Sequence, residues 1–254
     1  MTLRLLSYNI RHGGVGRDGK IASVIRECSP DLVVLQEATH PEVVEHIAKE
    51  CGMPHWGAKY DYSLGFISRL PVEHYKWHKP APLRRAFLEI KLPGITVFGV
   101  HLSAVHSNLT ERLRKRELRA LLKSIEHHQD GFHVLVGDFN TLAPGEPLDL
   151  RRLPPRLRLV AWITGGRVRY ETIQIMLDGG YIDGYRTLHF DKGFTFPTWD
   201  PHVRLDFVFL PAPFAERLTV CKVLYDAPSI KDASDHFPLI AEIETDKTLS
   251  GSDR

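Results

Sequence analysis

The stretch His133-Val134-Leu135-Val136-Gly137-Asp138-Phe139-Asn140 constrains this chain more than any other. Val134 to Val136 is a short apolar run with two β-branched residues, the pattern of a buried strand. Gly137 relieves crowding where the chain leaves the sheet. Asp138 and Asn140 stand two apart, so in extended chain both point to one face. A carboxylate and a carboxamide behind an apolar run either close a turn, which both residue types favour, or do chemistry. The stretch alone leaves both open.

The rest of the chain alternates short apolar runs with helical patterns. Strands are expected at Thr2 to Tyr8, Leu32 to Leu35, Ser63 to Ser68, Ala86 to Leu92, Thr96 to Val100, Leu205 to Leu210 and Pro238 to Ile243. A weaker one spans Arg217 to Tyr225, with Leu218, Val220 and Leu224 on one face. Helices are expected at Lys20 to Cys28, Pro41 to Glu50 and Glu171 to Leu177. Another runs from a Thr110 cap to about His128, its apolar stripe including Leu113, Leu118 and Leu121. In that helix Arg112, Arg114, Arg116 and Arg119 are expected on the wet face. Arg11 to Lys20 reads as a loop with four glycines, and Thr141 to Leu159 as a long surface loop rich in Pro and Arg. Among 254 residues neither a repeat nor a linker stands out, so residues 1–244 read as one domain and 245–254 as a loose polar tail.

The strand ends carry the chemistry. The first strand ends in Asn9, the second in Glu37, another in His101, and the central one in Asp138 and Asn140. Asp206 and Asp235-His236 instead open the last two. If those last strands run antiparallel to the earlier ones, all of these groups meet at one edge. Clustered carboxylates repel and raise one another's pKa, and a hard divalent cation relieves this. Oxygen ligands select Mg²⁺, Ca²⁺ or Mn²⁺ over zinc. A histidine beside them suits proton transfer, and the set suits attack of water on a phosphate ester. Each residue alone has a plainer alternative. Asn9 and Asp235-His236 could be turn residues, Glu37 a loop start, His101 a satisfied core histidine, and Asp206 half of a surface pair with Arg204. Recurrence at six strand ends is what outweighs these alternatives.

Ser7-Tyr8-Asn9-Ile10, Leu35-Gln36-Glu37, His101-Leu102, Gly137-Asp138-Phe139-Asn140, Arg204-Leu205-Asp206-Phe207 and Ser234-Asp235-His236-Phe237-Pro238-Leu239 span nearly the whole chain. As an ordered set they resemble the motifs of the endonuclease/exonuclease/phosphatase superfamily, the deoxyribonuclease I-like metal-dependent phosphoesterases. The resemblance implies an α/β fold, a four-layer α/β/β/α sandwich with two mixed β-sheets packed face to face and helices outside. It implies a Mg²⁺- or Mn²⁺-dependent phosphodiesterase or phosphomonoesterase. By motif position, Glu37 resembles the main metal ligand, with Asn9 and Asp235 nearby. Asp138 and Asn140 resemble the pair that orients or activates water, and His236 with Asp206 an imidazole–carboxylate pair. His101 resembles a phosphate-oxygen donor, and Arg85 a phosphate-holding arginine. Whether Asp138 or His236 is the base stays open. Arg11 departs from the pattern, because many DNA-repair members carry a polar or acidic group there; this counts against an abasic-site nuclease.

For substrate, Trp199 and Phe196 in Thr195-Phe196-Pro197-Thr198-Trp199 could stack on a base, or Trp199 could simply pack its loop on the sheet. Arg151, Arg152, Arg156, Arg158, Arg167 and Arg169 could bind a phosphodiester backbone or form a solvated loop. The expected partner is nucleic acid or a small phosphodiester. The alternatives are a phosphatase, a lipid-headgroup phosphodiesterase, or a silent phosphate-binding module on the same fold. A net charge of +2 declares no nucleic-acid partner by itself. Three cysteines without a CxxC pair suggest neither a disulfide framework nor a zinc knuckle. With no signal-peptide pattern and no membrane-length apolar run, a cytoplasmic monomer without a membrane anchor is expected.

Overall fold

A computed structural model of the chain describes residues 1–80, 85–104, 108–128, 131–146, 149–152, 158, 170–226 and 228–245. Its strands are β1 (Thr2–Asn9), β2 (Leu32–Gln36), β3 (His55–Gly57), β4 (Leu64–Ser68), β5 (His74–His78), β6 (Phe87–Leu92), β7 (Ile95–His101), β8 (His133–Asp138), β9 (Tyr181–Asp183), β10 (Asp206–Pro211), β11 (Leu218–Val223) and β12 (Leu239–Glu244). The helices are α1 (Asp18–Cys28), α2 (Pro41–Glu50), α3 (Asn108–Ser124), α4 (Glu171–Asp178), α5 (Gly184–Leu188) and α6 (Ile230–Ala233).

Two six-stranded sheets result, in the orders β11-β12-β1-β2-β4-β3 and β5-β6-β7-β8-β10-β9. Each is mixed: β1–β2 and β7–β8 pair in parallel, and the other neighbours are antiparallel. The continuous apolar runs fit this, because a strand buried on both faces has no polar side to alternate. Val34, Val97, Val134 and Val136 share one core between the sheets. The approach is close at Gly99, where a Cβ would lie 2.8 Å from Val34 Cγ1. On the outside, α1 and α2 bury Ile21, Val24, Ile25, Val44 and Ile47 against the first sheet. Leu118 and Leu121 of α3, Ile125 just past its end, and Ile173 and Met176 of α4 pack on Phe98, Leu135, Phe207 and Phe209 of the second. Each such side chain contributes about 1.5–3 kcal/mol by leaving water. The layers are therefore helix, sheet, sheet, helix, as the motifs implied. Among the described residues no helix is long and apolar enough to cross a membrane.

Several local expectations fail for identifiable reasons. Helix α3 begins at Asn108, so Thr110 lies inside it rather than capping it. Leu113 is exposed, whereas Arg114 is buried, the reverse of the helical-wheel reading. Arg114 is drawn in by Glu111, whose Oε2 accepts from its Nε (3.1 Å) and Nη2 (2.8 Å). Its Nη1 also donates to Ser103 O at 2.9 Å. A buried charge is tolerated when its donors are matched like this. In β11 a register shift between Leu218 and Val220 turns the face, so Cys221 and Val223 are buried and Val220 is only half-buried. Helix α1 starts two residues early, at Asp18. Arg156, Arg167, Arg169, Pro82, most of the 141–159 loop beyond residue 146 and most of the 245–254 tail lie outside the described residues.

Candidate active site

Strand register builds the centre of the site. His101 pairs with Asp138 across β7–β8, and Asp206 pairs with Asp138 across β10–β8. Three neighbours in one row of a sheet present their side chains to one face. Antiparallel pairing of β12 with β1 brings Asp235 and His236 to the end where β1 stops at Asn9. His236 Nδ1 lies 2.8 Å from Asp206 Oδ2, and its Nε2 lies 3.9 Å from Asp138 Oδ2. His101 Nε2 also lies 3.9 Å from Asp138 Oδ2. Asp138, Asp206 and His236 each offer one ligand-type atom, all within 4.8 Å of one another.

Gly137 makes this row possible. Its φ is +144°, and a Cβ there would lie 1.9 Å from Val100 O, so only glycine lets β8 come so near β7. Asn140, however, does not extend beside Asp138 as expected. Its φ is +51°, and its N–H donates to Asp138 Oδ1 at 2.8 Å. Its Nδ2 donates to Leu102 O at 3.1 Å, bracketing the ends of β7 and β8. The turn and the chemistry were posed as alternatives, and the geometry contains both.

Asn9 joins this buried centre to a more open rim. Its Nδ2 donates to Asp138 Oδ2 (3.0 Å) and to Glu37 Oε1 (3.3 Å). Its Oδ1 accepts from Arg11 N at 2.9 Å. The amide braces two carboxylates with its NH₂. Glu37 sits just past β2 with φ +57°, and its Oε2 accepts from His12 N at 2.5 Å. Arg11 Nε lies 3.5 Å from Asp235 Oδ2. Ser234 Oγ donates to Asn9 O at 2.6 Å and locks the Ser-Asp-His turn onto β1.

Sequence reasoning missed the groups that hold these residues. Thr195 Oγ accepts from the N–H groups of Leu205 and Asp206 at 3.0 and 3.3 Å, and its carbonyl accepts from Phe237 N at 2.8 Å. Thr198 Oγ donates to Ser234 O at 3.0 Å, and its N–H to Asp235 O at 2.9 Å. One strap thus ties both halves of the His236–Asp206 pair, with the Phe196 ring 4.8 Å from the imidazole. Arg204 is fully buried rather than a surface partner of Asp206. It binds both oxygens of Asp183, and its Nε donates to Glu146 Oε1 at 2.7 Å. On the helical side, Glu117 accepts from Ser103 N and Oγ at 3.0 and 2.6 Å, and Glu111 accepts from Thr141 Oγ at 3.2 Å. These anchor the loops that follow His101 and Asn140.

The electrostatics divide the titratable groups. Burial pushes the Asp138 carboxyl well up; Asp206 adds to this, and His236 opposes it. For His236 burial acts downward, but the adjacent Asp206 carboxylate outweighs it and holds the imidazole protonated well above its ordinary range. Burial, helped by the charges of Arg85 and His236, pushes His101 down to about 3, so it is neutral. Asp206 Oδ1 and His101 Nδ1 are buried without a hydrogen-bond partner among the described residues.

Two further expected residues sit apart from this centre. Arg85 is half-buried just before β6 and lines a small crevice with His101. Trp199 is 66% exposed, so it does not pack its loop on the sheet; its ring meets Phe196 edge-on at 6.3 Å.

The sequence model described as the Endonuclease/Exonuclease/phosphatase family matches residues 6–236. The uncharacterized protein YbhP of Escherichia coli strain K12 is 24% identical over 272 aligned positions, covering 95% of this chain and 96% of that protein. An AP endonuclease from Archaeoglobus fulgidus shares the fold with a TM-score of 0.73 at 20% identity, over 96% of this chain and 100% of its own. The 3′ phosphatase NExo from Neisseria, solved with a product DNA hairpin, gives 0.71 at 19% identity, over 95% and 99%. At such identities the structural likeness speaks for the fold alone.

Proposed function

The chain belongs to the endonuclease/exonuclease/phosphatase family, and on that premise we propose that it is a Mg²⁺- or Mn²⁺-dependent phosphoesterase. Its substrate is a phosphodiester, of nucleic acid or of a small soluble molecule. The observation that carries this reading is the His101–Asp138–Asp206 row with His236 closing it, beside the carboxylates of Glu37 and Asp235. The donor set fits a hard divalent cation. Glu37 and Asp235 offer oxygen at the open rim. Asp206 Oδ1, buried without a donor among the described residues, is a costly arrangement for a carboxylate that nothing ever meets.

Glu37 and Asp235 would hold the cation. When bound, it would polarise the phosphoryl group and offset its developing charge. Asn9 keeps Glu37 and Asp138 aligned through its NH₂ group. Asp138 takes the proton from the attacking water as its oxygen bonds to phosphorus and the ester P–O bond opposite breaks, and His236, held protonated beside it, supplies positive charge for the phosphoryl oxygens. Asp206 accepts from Nδ1 of His236 and fixes the orientation of its ring. Asn140 fixes Asp138 from behind. Neutral His101 has an N–H to donate to a phosphoryl oxygen, and Arg85 supplies positive charge beside it.

A substrate panel tests this: single- and double-stranded DNA, RNA, inositol phosphates and a generic phosphodiester, each with Mg²⁺ or Mn²⁺ and with excess chelator. Hydrolysis of at least one phosphodiester that stops with chelator and returns with metal is expected. Turnover that persists in excess chelator overturns the metal assignment.

A further inference from the structure

A cleft of ≈ 460 Å³ opens beside the site, and apart from Arg85 the mechanism above does not use its lining. Tyr60, Asp61, Tyr62, Ser63, Lys79 and Arg85 line it. Its volume lies within the ~300–1,000 Å³ typical of small-ligand pockets. Arg85 belongs to both this cleft and the crevice at His101. Whatever fills the cleft therefore adjoins the reacting phosphate.

The wall is a built surface. Asp61 is held in the left-handed region at φ +63°, and Tyr62 N donates back to Lys59 O at 3.2 Å. A non-glycine residue kept at positive φ marks a loop whose shape is imposed by its surroundings. Tyr60 is 65% exposed, yet its hydroxyl donates to Glu42 Oε2 at 3.0 Å, which fixes the ring. Tyr62 meets Trp77 edge-on at 6.1 Å, and the ammonium groups of Lys59 and Lys79 lie 5.8 and 5.7 Å from its ring centre. Neither Lys79 nor Arg85 forms an ion pair among the described residues.

Two tyrosine rings, two cations, a carboxylate and a hydroxyl line this one cleft and match three parts of one ligand. The rings suit a flat heterocycle, the cations a phosphate backbone, and Asp61 with Ser63 the hydrogen-bonding edge of a base. A choline headgroup would be repelled by Lys79 and Arg85, and an inositol ring offers no flat π face for the tyrosines to stack on. We propose that this cleft is a base-binding subsite, which seats the nucleotide next to the scissile phosphate of a single-stranded or unpaired nucleic-acid substrate. This rests on the phosphodiesterase reading above and narrows it to a substrate that carries bases.

The test compares two fluorescein-labelled oligomers of equal length in excess chelator, so that neither strand is cut. One is single-stranded oligodeoxythymidine, and the other is the same backbone with tetrahydrofuran in place of every base. Fluorescence anisotropy should show the base-bearing strand bound roughly tenfold more tightly, the usual worth of one stacked base. Tyr62→Ala and Tyr60→Ala should each shrink that ratio, while Tyr62→Phe keeps it; the phenylalanine and the exposed Tyr60 position separate loss of stacking from loss of folding. Lys79→Ala should weaken both strands alike. Equal binding of the two oligomers by the unaltered protein, or an undiminished ratio in both alanine variants, overturns the subsite. Because the readout is binding, absence of hydrolysis would count against the proposed activity and leave the subsite to be decided by the ratio.

Discussion

The two ends of the site are built differently. Asp138, Asp206, His101 and His236 are each no more than 5% exposed, and the first three stand on neighbouring strands in one register row. The side chains of Glu37 and Asp235 are 31% and 18% exposed and stand on turns, one of them left-handed. Strand pairing fixes the proton-handling groups before any ligand arrives, in a dry setting where small displacements matter. The rim stays wet, which suits groups that must exchange water for a cation. The contrast predicts two kinds of failure. Asp138→Ala or His236→Ala should reduce hydrolysis of a generic phosphodiester by about 10³-fold, within the range for loss of a proton-transfer or charge-stabilising group, at any Mg²⁺ concentration. Glu37→Gln should raise the Mg²⁺ concentration needed for half-maximal rate and recover much of the activity as the ion is added. If extra Mg²⁺ restores Asp138→Ala, or leaves Glu37→Gln unimproved, the division between the two ends is wrong.

The same contrast explains what could be read from the sequence. Strand-end polarity was legible because the strands are uninterrupted apolar runs, so Glu37 after Leu32–Gln36 and Asp138 after His133–Gly137 stand out. Helix α2 was legible to the residue, since Pro41 can only open a helix and Gly52 follows its end. β3 and β9, of three residues each, are too short to show any period. β5 is an edge strand with its first three residues exposed, so no apolar alternation marks it. Thr195, Thr198 and Ser234 were overlooked because their work is done on backbone groups of remote segments. Arg204 and Arg114 were placed in water because periodicity prices a charge as polar. It does not see that Asp183 and Glu111 are buried beside them.

Those buried arginines give the next expectation. Arg204 is fully buried between Asp183 and Glu146 and lies 4.2 Å above the Phe207 ring. Arg204→Ala leaves the buried Asp183 carboxylate without its cation, while Glu146 keeps Arg186 at 2.8 Å, a loss of about 3–5 kcal/mol. Arg26, whose partner Glu50 is half in solvent, should lose less than about 1 kcal/mol on the same change. Urea denaturation of both variants checks this. Similar midpoints would show that burial is not what separates the two pairs. Arg204 also stands two residues before Asp206, so a variant that still folds should lose activity through a displaced His236.

The smallest effect concerns acid stability, and it belongs to the buried row alone. His101 in the folded protein is pushed down to about 3, whereas an unfolded histidine titrates near 6.5. Below pH 6.5 the unfolded chain therefore gains a proton that the folded protein refuses. Stability falls from about pH 6.5 toward pH 3, and the contribution lost by pH 5 is about 2 kcal/mol. Asp138 acts in the opposite sense, because its raised carboxyl takes up a proton in the folded state first. The wild-type curve mixes the two, so the informative quantity is a difference between proteins. Denaturation free energies of the wild type and His101→Asn, measured from pH 7.5 to 5, should converge as the pH falls, because only the wild type carries the histidine penalty. Parallel curves would mean that His101 is protonated in place, and a charged donor would then replace the neutral one assigned to the phosphoryl oxygen.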